Sequence, residues 1–222
     1  MATLILKDLM NVKKVLAFVL IYGFIMIFGF QNVPDAALTA STVAISYLLM
    51  LQACLRDDKN KSEIILNSLP LTRKTIVGAK YLTIFLYTAL GLVSYLFAYV
   101  IVEIAGIPFH VYPLTLSNVV GVVIAAILMS ALFYPVYFKF GYPKSNIYGM
   151  IIFLAFFFSR GIVLSIAKRL GNYSLPHSIE RIIQWLSGQT EYSLALIMLI
   201  GGLALLGLSY LLSLRFYSTR EF

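Results

Sequence analysis

Long uncharged apolar runs, separated by short clusters of lysine and arginine, constrain this chain more than any other feature. A helix crossing a hydrocarbon layer of about 30 Å needs about 20 mostly apolar residues. Six stretches reach that length, some only with their weakly polar flanks: 15–30, 36–55, 81–104, 117–138, 147–167 and 192–214. Of 222 residues, 61% are hydrophobic and 12% charged, with a mean hydropathy of +0.92. A soluble globule needs a largely polar surface, which nine acidic and seventeen basic residues cannot coat. Disorder is excluded by the opposite imbalance, because 14% aromatic residues among abundant Leu, Ile and Val would collapse. The predicted fold is therefore all-α: a polytopic membrane protein with six transmembrane helices and short connections that leave no room for a nucleotide-binding domain.

The net charge of +8 invites a nucleic-acid partner, but its distribution argues against one. The cations sit beside the apolar runs, as membrane-flanking charges do. With the N-terminus inside, thirteen lysines and arginines fall on the inner side, in the segments carrying Lys7 to Lys14, Arg56 to Lys80, Lys139 and Lys144, and Arg215 and Arg220. The outer side receives only Lys168, Arg169 and Arg181, and Arg160 lies inside the fifth run. This bias predicts a plasma-membrane protein with both termini cytoplasmic. The first apolar run lacks a small-residue cleavage site and is read as a span, not a signal peptide.

Three segments outside the runs carry pattern. Over residues 1–14, Leu4 or Ile5, Leu9 and Val12 recur at helical spacing with Lys7, Asn11 and Lys14 on another side, which predicts a basic amphipathic helix along the inner interface. It serves either as an anchor alone or as a contact surface. Residues 56–80 open on a solvated charge run, Arg56 to Lys61. A short helix with Ile65, Leu66 and Leu69 follows, then the rigid turn Leu69-Pro70-Leu71-Thr72-Arg73-Lys74. At this length the connection is more than a linker, and it predicts a compact cytoplasmic knob. Residues 168–191 place Ile179, Ile182, Ile183 and Leu186 on one face with Trp185 beside them, a short external interfacial or re-entrant helix.

Catalytic chemistry is not supported. His110 and His177 have no paired ligand spacing, GxxxxGK[ST] is absent, and the single cysteine, Cys54, excludes a thiolate metal cluster and a CxxC pair. Arg160, in the setting Phe156-Phe157-Phe158-Ser159-Arg160, either snorkels outward, lines a path, or pairs with Glu103. Pro135 either is a tolerated membrane proline or supplies a gating hinge. Tyr95 and Tyr99 lie one turn apart in the third run.

The basic N-terminal helix, the six runs and the stretch Ser68-Leu69-Pro70-Leu71-Thr72-Arg73-Lys74-Thr75-Ile76-Val77-Gly78-Ala79-Lys80-Tyr81 together resemble the small permease subunits of ABC-2 type transporters. The likeness covers the whole chain and is nearest to Gram-positive exporters of peptides or toxins. It implies half of a membrane channel, completed by a second copy or a related permease and driven by separate cytoplasmic nucleotide-binding ATPase subunits. ATP and Mg2+ would bind those subunits, and no cofactor would bind this chain. The resemblance carries ATPase contact onto Lys7, Lys13, Lys14, Glu63, Leu69, Pro70, Arg73 and Lys74. Met26, Phe30, Tyr95, Tyr99, Phe156, Phe157 and Arg160 become candidates for the translocation path, and 175–186 for the family's external region. The rival function is a stand-alone integral membrane assembly or immunity factor.

Overall fold

The computed structural model describes residues 1–31, 34–107, 114–170 and 188–220, and among their side chains all but those of 14, 34, 35, 67 and 160–170. Away from water only a helix or a closed barrel bonds all of its own peptide groups, and among the described residues the regular structure is helical. We number the helices α1 (Ala2–Val12), α2 (Leu16–Gly29), α3 (Pro34–Lys59), α4 (Ser62–Ser68), α5 (Arg73–Ile104), α6 (Leu116–Phe140), α7 (Tyr142–Leu170) and α8 (Glu191–Thr219). Threonine sets three of the starts: Thr72, Thr115 and Thr190 each accept a backbone N–H from three residues on.

The count of six spans is corrected. Among the described residues four helices are long and apolar enough to cross a membrane: α3 from Ala36, α5, α6 and α8. A fifth is reached only if α1 and α2 are taken as one broken span, bent by 67°. The first predicted span fails on geometry. The 3-10 turn Lys13–Val15 interrupts the chain, and the 14 residues of α2 that follow rise only about 21 Å. The fifth predicted span, 147–167, is not among these four: it lies within the single helix α7, whose described side chains run only from Tyr142 to Ser159 and begin with the polar turn Tyr142-Pro143-Lys144-Ser145-Asn146. The external helix with Ile179, Ile182, Ile183, Trp185 and Leu186 lies outside the described residues.

The helices pack as one bundle in which α6 lies along α8, α3 and α2 lie along α5, and α1 crosses α3 and α5 at one end. Close approach uses small residues, as membrane interfaces do. A Cβ on Gly91 would sit 2.9 Å from the Thr42 carbonyl oxygen, so α5 and α3 touch backbone to backbone there. Tyr87, Phe133, Tyr134, Tyr137, Phe138 and Tyr217 fill the core toward the end that α1 crosses. Ile27, Leu38, Tyr95, Ala98 and Val122 form a smaller cluster elsewhere in the bundle.

Pro135 is held by a polar chain and not by a break in the helix. α6 runs unbroken through it, yet proline has no N–H to offer the carbonyl one turn earlier. That carbonyl, Ala131 O, accepts instead from Ser209 Oγ of α8 at 2.6 Å. Ser209 Oγ and Ser213 Oγ each lie 2.7 Å from the Tyr81 hydroxyl. With the Ser209 proton committed to Ala131, Tyr81 donates to Ser209 and accepts from Ser213. The chain ties α5, α6 and α8 together. Replacing Ser209 with alanine is expected to cost about 1–2 kcal/mol in a bilayer-mimetic unfolding titration. Most of that cost should vanish in a Pro135→Ala background, where residue 135 regains the N–H that Ala131 lacks. Simple additivity of the two substitutions would refute the account.

Candidate functional site

The segments assigned to one side from charge alone do converge at one end of the bundle. There α1, α4, the start of α5 and the ends of α3, α6 and α8 meet. Three buried stripes run into this end. On α3 the stripe through Met50, Ala53 and Cys54 continues one turn to Asp57. On α5 Thr83, Ile84 and Tyr87 lead back to Lys80, and on α1 Leu4 and Val12 flank Asp8.

These three stripes close on a quartet of charges. Lys80 Nζ lies 2.6 Å from Asp57 Oδ2 and 2.9 Å from Asp8 Oδ2. Lys7 Nζ lies 2.8 Å from Asp57 Oδ1 and 3.4 Å from Asp8 Oδ1. Asn11 Nδ2 adds a donor to Asp57 Oδ1 at 3.3 Å. Asp8, Asp57 and Lys80 are buried, whereas the Lys7 side chain keeps 31% of its surface. Two lysines and two aspartates sum to zero, the condition under which buried charges are tolerated. The quartet fixes α1 across α3 and α5.

Two expectations are revised here. The charge run Arg56 to Lys61 is solvated from Asp58 onward, but α3 continues through it to Lys59 and turns Asp57 inward. The inward face of α1 is not purely apolar, since Asp8 is buried there beside Lys80. Inspection of the sequence missed Asp8, Asp57 and Lys80. The available signal was phase, because each sits one turn from buried apolar residues on its own helix.

A second set of contacts ties α4 and its following turn to the C-terminal end of α8. Arg220 Nη2 lies 3.1 Å from Glu63 Oε2, and Tyr137 hydrogen-bonds to the same carboxylate. Gly141, at φ 75°, ends α6 where a Cβ would sit 2.9 Å from Arg220 Nη2, so a side chain there would be strained and would push the arginine aside. Arg73 Nη1 donates to Tyr217 O at 3.0 Å and to Ser218 O, and its guanidinium lies 5.9 Å from the centre of the Tyr217 ring. Arginine at a helix C-terminus satisfies the last carbonyls and opposes their dipole. Between these anchors α4 buries Leu66 and exposes Ile64, Ile65, Leu69 and Pro70.

Burial raises the pKa of Glu63 above its ordinary 4.5, against the lowering pull of Arg220 and the Tyr137 hydrogen bond. The folded state then holds this proton more tightly than the unfolded chain does. The stability it contributes is fully present below the ordinary pKa and is lost as pH rises through the raised one. Glu63→Gln is expected to flatten that part of the dependence, seen as a smaller fall in unfolding midpoint as pH rises from the ordinary carboxylate range toward neutrality. Identical slopes for the two proteins would contradict the assignment.

The remaining predicted positions are distributed through the bundle. Lys13 is exposed in the 3-10 turn and Lys74 at the start of α5, while the side chain of Lys14 is outside the description. Tyr95 is fully buried, with Phe30 and Tyr99 packed on the same cluster. Met26 is half-buried, and the Phe157 ring lies tilted against Phe153 at 4.6 Å and edge-on to Phe156 at 6.1 Å between ring centres. The Arg160 side chain is outside the description, and Glu103 is exposed. Among the described residues no group of His, Cys, Asp and Glu could hold a metal ion.

The family described as ABC-2 family transporter protein matches residues 3–218. The chain belongs to that family. Its match extends from α1 to the last turn of α8, so the quartet, the α4 knob and the Arg73 anchor all lie inside the region that defines an ABC-2 protein. No curated protein and no solved structure matches the chain. Membership implies association with a nucleotide-binding ATPase subunit and a multi-pass membrane location.

Proposed function

We propose that this ABC-2 protein is the membrane subunit of an ATP-driven exporter, with ATP hydrolysed on separate cytoplasmic subunits that dock on the α4 knob. The observation that carries the reading is the knob inside a chain-long family match. A seven-residue helix outside the spans presents Ile64 and Ile65 at 53% and 58% exposure, held at both flanks to the end of α8. Exposed isoleucines on a braced element fit a partner's apolar cleft. In this reading Ile64, Ile65, Leu69, Pro70 and Lys13 face the ATPase, and Lys14 remains a proposed contact. Lys7, Glu63 and Arg73 act as positioning residues, because their charges are engaged within the chain. The docked end is cytoplasmic, in accord with its cations.

A second copy or a related permease completes the path, and Met26, Phe30, Tyr95, Tyr99, Phe156, Phe157 and Arg160 remain its proposed lining or seam. Peptides or other amphipathic molecules are the proposed cargo, on the resemblance to small permeases alone. Energy enters as a difference in knob contacts between two ATPase states, transmitted through the quartet and the Arg73 anchor to α3, α5 and α8.

Affinity purification from native membranes in mild detergent tests this reading. A co-purifying nucleotide-binding subunit in near-equal amount, with vanadate-sensitive ATP turnover, is the expected result. A chain that purifies alone even when its genomic neighbours are co-expressed would overturn it and favour a stand-alone membrane factor.

A further inference from the structure

We propose that a groove between the start of α5 and the end of α8 binds the headgroup of an anionic phospholipid, whose acyl chains lie along the leucines of α8. The groove offers about 670 Å³, and its described lining holds Arg73, Lys74 and Arg215 without an acidic residue. Lys74 and Arg215 are both exposed, and neither has an ion-pair partner among the described residues. Arg73 is already occupied by the α8 carbonyls, which it screens from an incoming anion. Three like charges around one hollow repel each other, and a phosphate between them removes that cost.

Leucines set the choice of occupant. Leu211 and Leu214 line the groove, and Leu208 and Leu211 are each 60% exposed on a helix apolar enough to span a membrane. Leu205 and Leu212 extend the same surface along α8. Cations at the helix ends above exposed leucines in the span match a phospholipid from headgroup to chain. A free phosphate would satisfy the cations and leave the leucines unused. The inference requires only that α5 and α8 span the membrane, and it is independent of the ATPase reading.

The test uses the purified full-length chain in nanodiscs made of phosphatidylcholine alone or with added phosphatidylglycerol. Native mass spectrometry counts the retained lipid, and thermal unfolding reports its effect. Phosphatidylglycerol is expected to be retained in preference to phosphatidylcholine and to raise the midpoint. Removing both exposed cations, in Lys74→Gln with Arg215→Gln, is expected to weaken that preference by roughly thirtyfold. Each single substitution should give part of the loss. Lys59→Gln with Lys61→Gln removes the same charge from the α3–α4 connection and should leave the preference intact. Unfolding midpoints in phosphatidylcholine alone report whether each variant is folded. Equal retention of the two lipids, an equal loss in the Lys59 and Lys61 variant, or full displacement by soluble glycerol phosphate would each overturn the proposal. The last would assign the groove to free anions.

Discussion

Lys80→Met is expected to destabilise the bundle by about 3–5 kcal/mol, the usual consequence of removing one partner from a buried ionic cluster. The substitution keeps the length and packing of the side chain but withdraws the cation that lies 2.6 Å from Asp57 and 2.9 Å from Asp8. Lys7 alone then faces two buried carboxylates, and the cluster carries one uncompensated negative charge. Asp8 Oδ1 already lacks a hydrogen-bond donor among the described residues, so no local donor is in reserve. Lys7→Met should cost less, because Lys7 is nearly a third exposed and solvent screens its two contacts. The triple variant Asp8→Asn, Asp57→Asn, Lys80→Met removes the three buried charges together, leaving only the part-exposed Lys7 cation, which can reach solvent, and should recover much of the loss. Equilibrium unfolding in a detergent or bilayer mimetic measures all three. A Lys80→Met protein as stable as wild type, or a triple variant no better than the single, would mean that the quartet does not hold α1 to the bundle.

This quartet also marks where the sequence stopped being legible. Four long helices, the short helix before Pro70 and the common end shared by α1, the α4 knob and the last turn of α8 were all readable from periodicity, punctuation and charge. Span number was not. Hydropathy registers an apolar run whether or not one straight helix carries it, and the Lys13–Val15 turn bends the chain at the start of the first run in a way that composition averages away. Asp57 was hidden for a different reason. Within Arg56 to Lys61 it looks like one more wet charge, and only the helical phase set by Met50 and Ala53 turns it inward. Its partners come from helices far away in the chain, and single-sequence reasoning has no means of pairing them. Glu63 and Arg73 were recognised as special, but as outward contacts. Their observed partners, Arg220 and the carbonyls of Tyr217 and Ser218, lie some 150 residues on.

That reassignment changes how the coupling reading should be tested. Ile64→Asp with Leu69→Asp places charge on the two exposed flanks of α4 without touching Leu66, the residue that buries its inner face. If the knob seats in an ATPase cleft, burying those carboxylates is prohibitive, and ATPase affinity should fall by roughly thirtyfold or more. Stability of the isolated membrane subunit should change by no more than about 0.5 kcal/mol, as for other exposed positions. Glu63→Ala with Arg73→Ala also lowers ATP-driven export, but by another route. It releases the knob from α8 while leaving its surface intact, so the subunit should still bind the ATPase and transmit its motion poorly. The expected signature is retained co-purification with uncoupled ATP turnover. Binding titration of the purified subunits together with transport in reconstituted vesicles separates the two outcomes. Wild-type affinity in the Ile64 and Leu69 variant would remove α4 from the docking surface. Wild-type coupling in the Glu63 and Arg73 variant would show that the brace between the knob and α8 carries no signal.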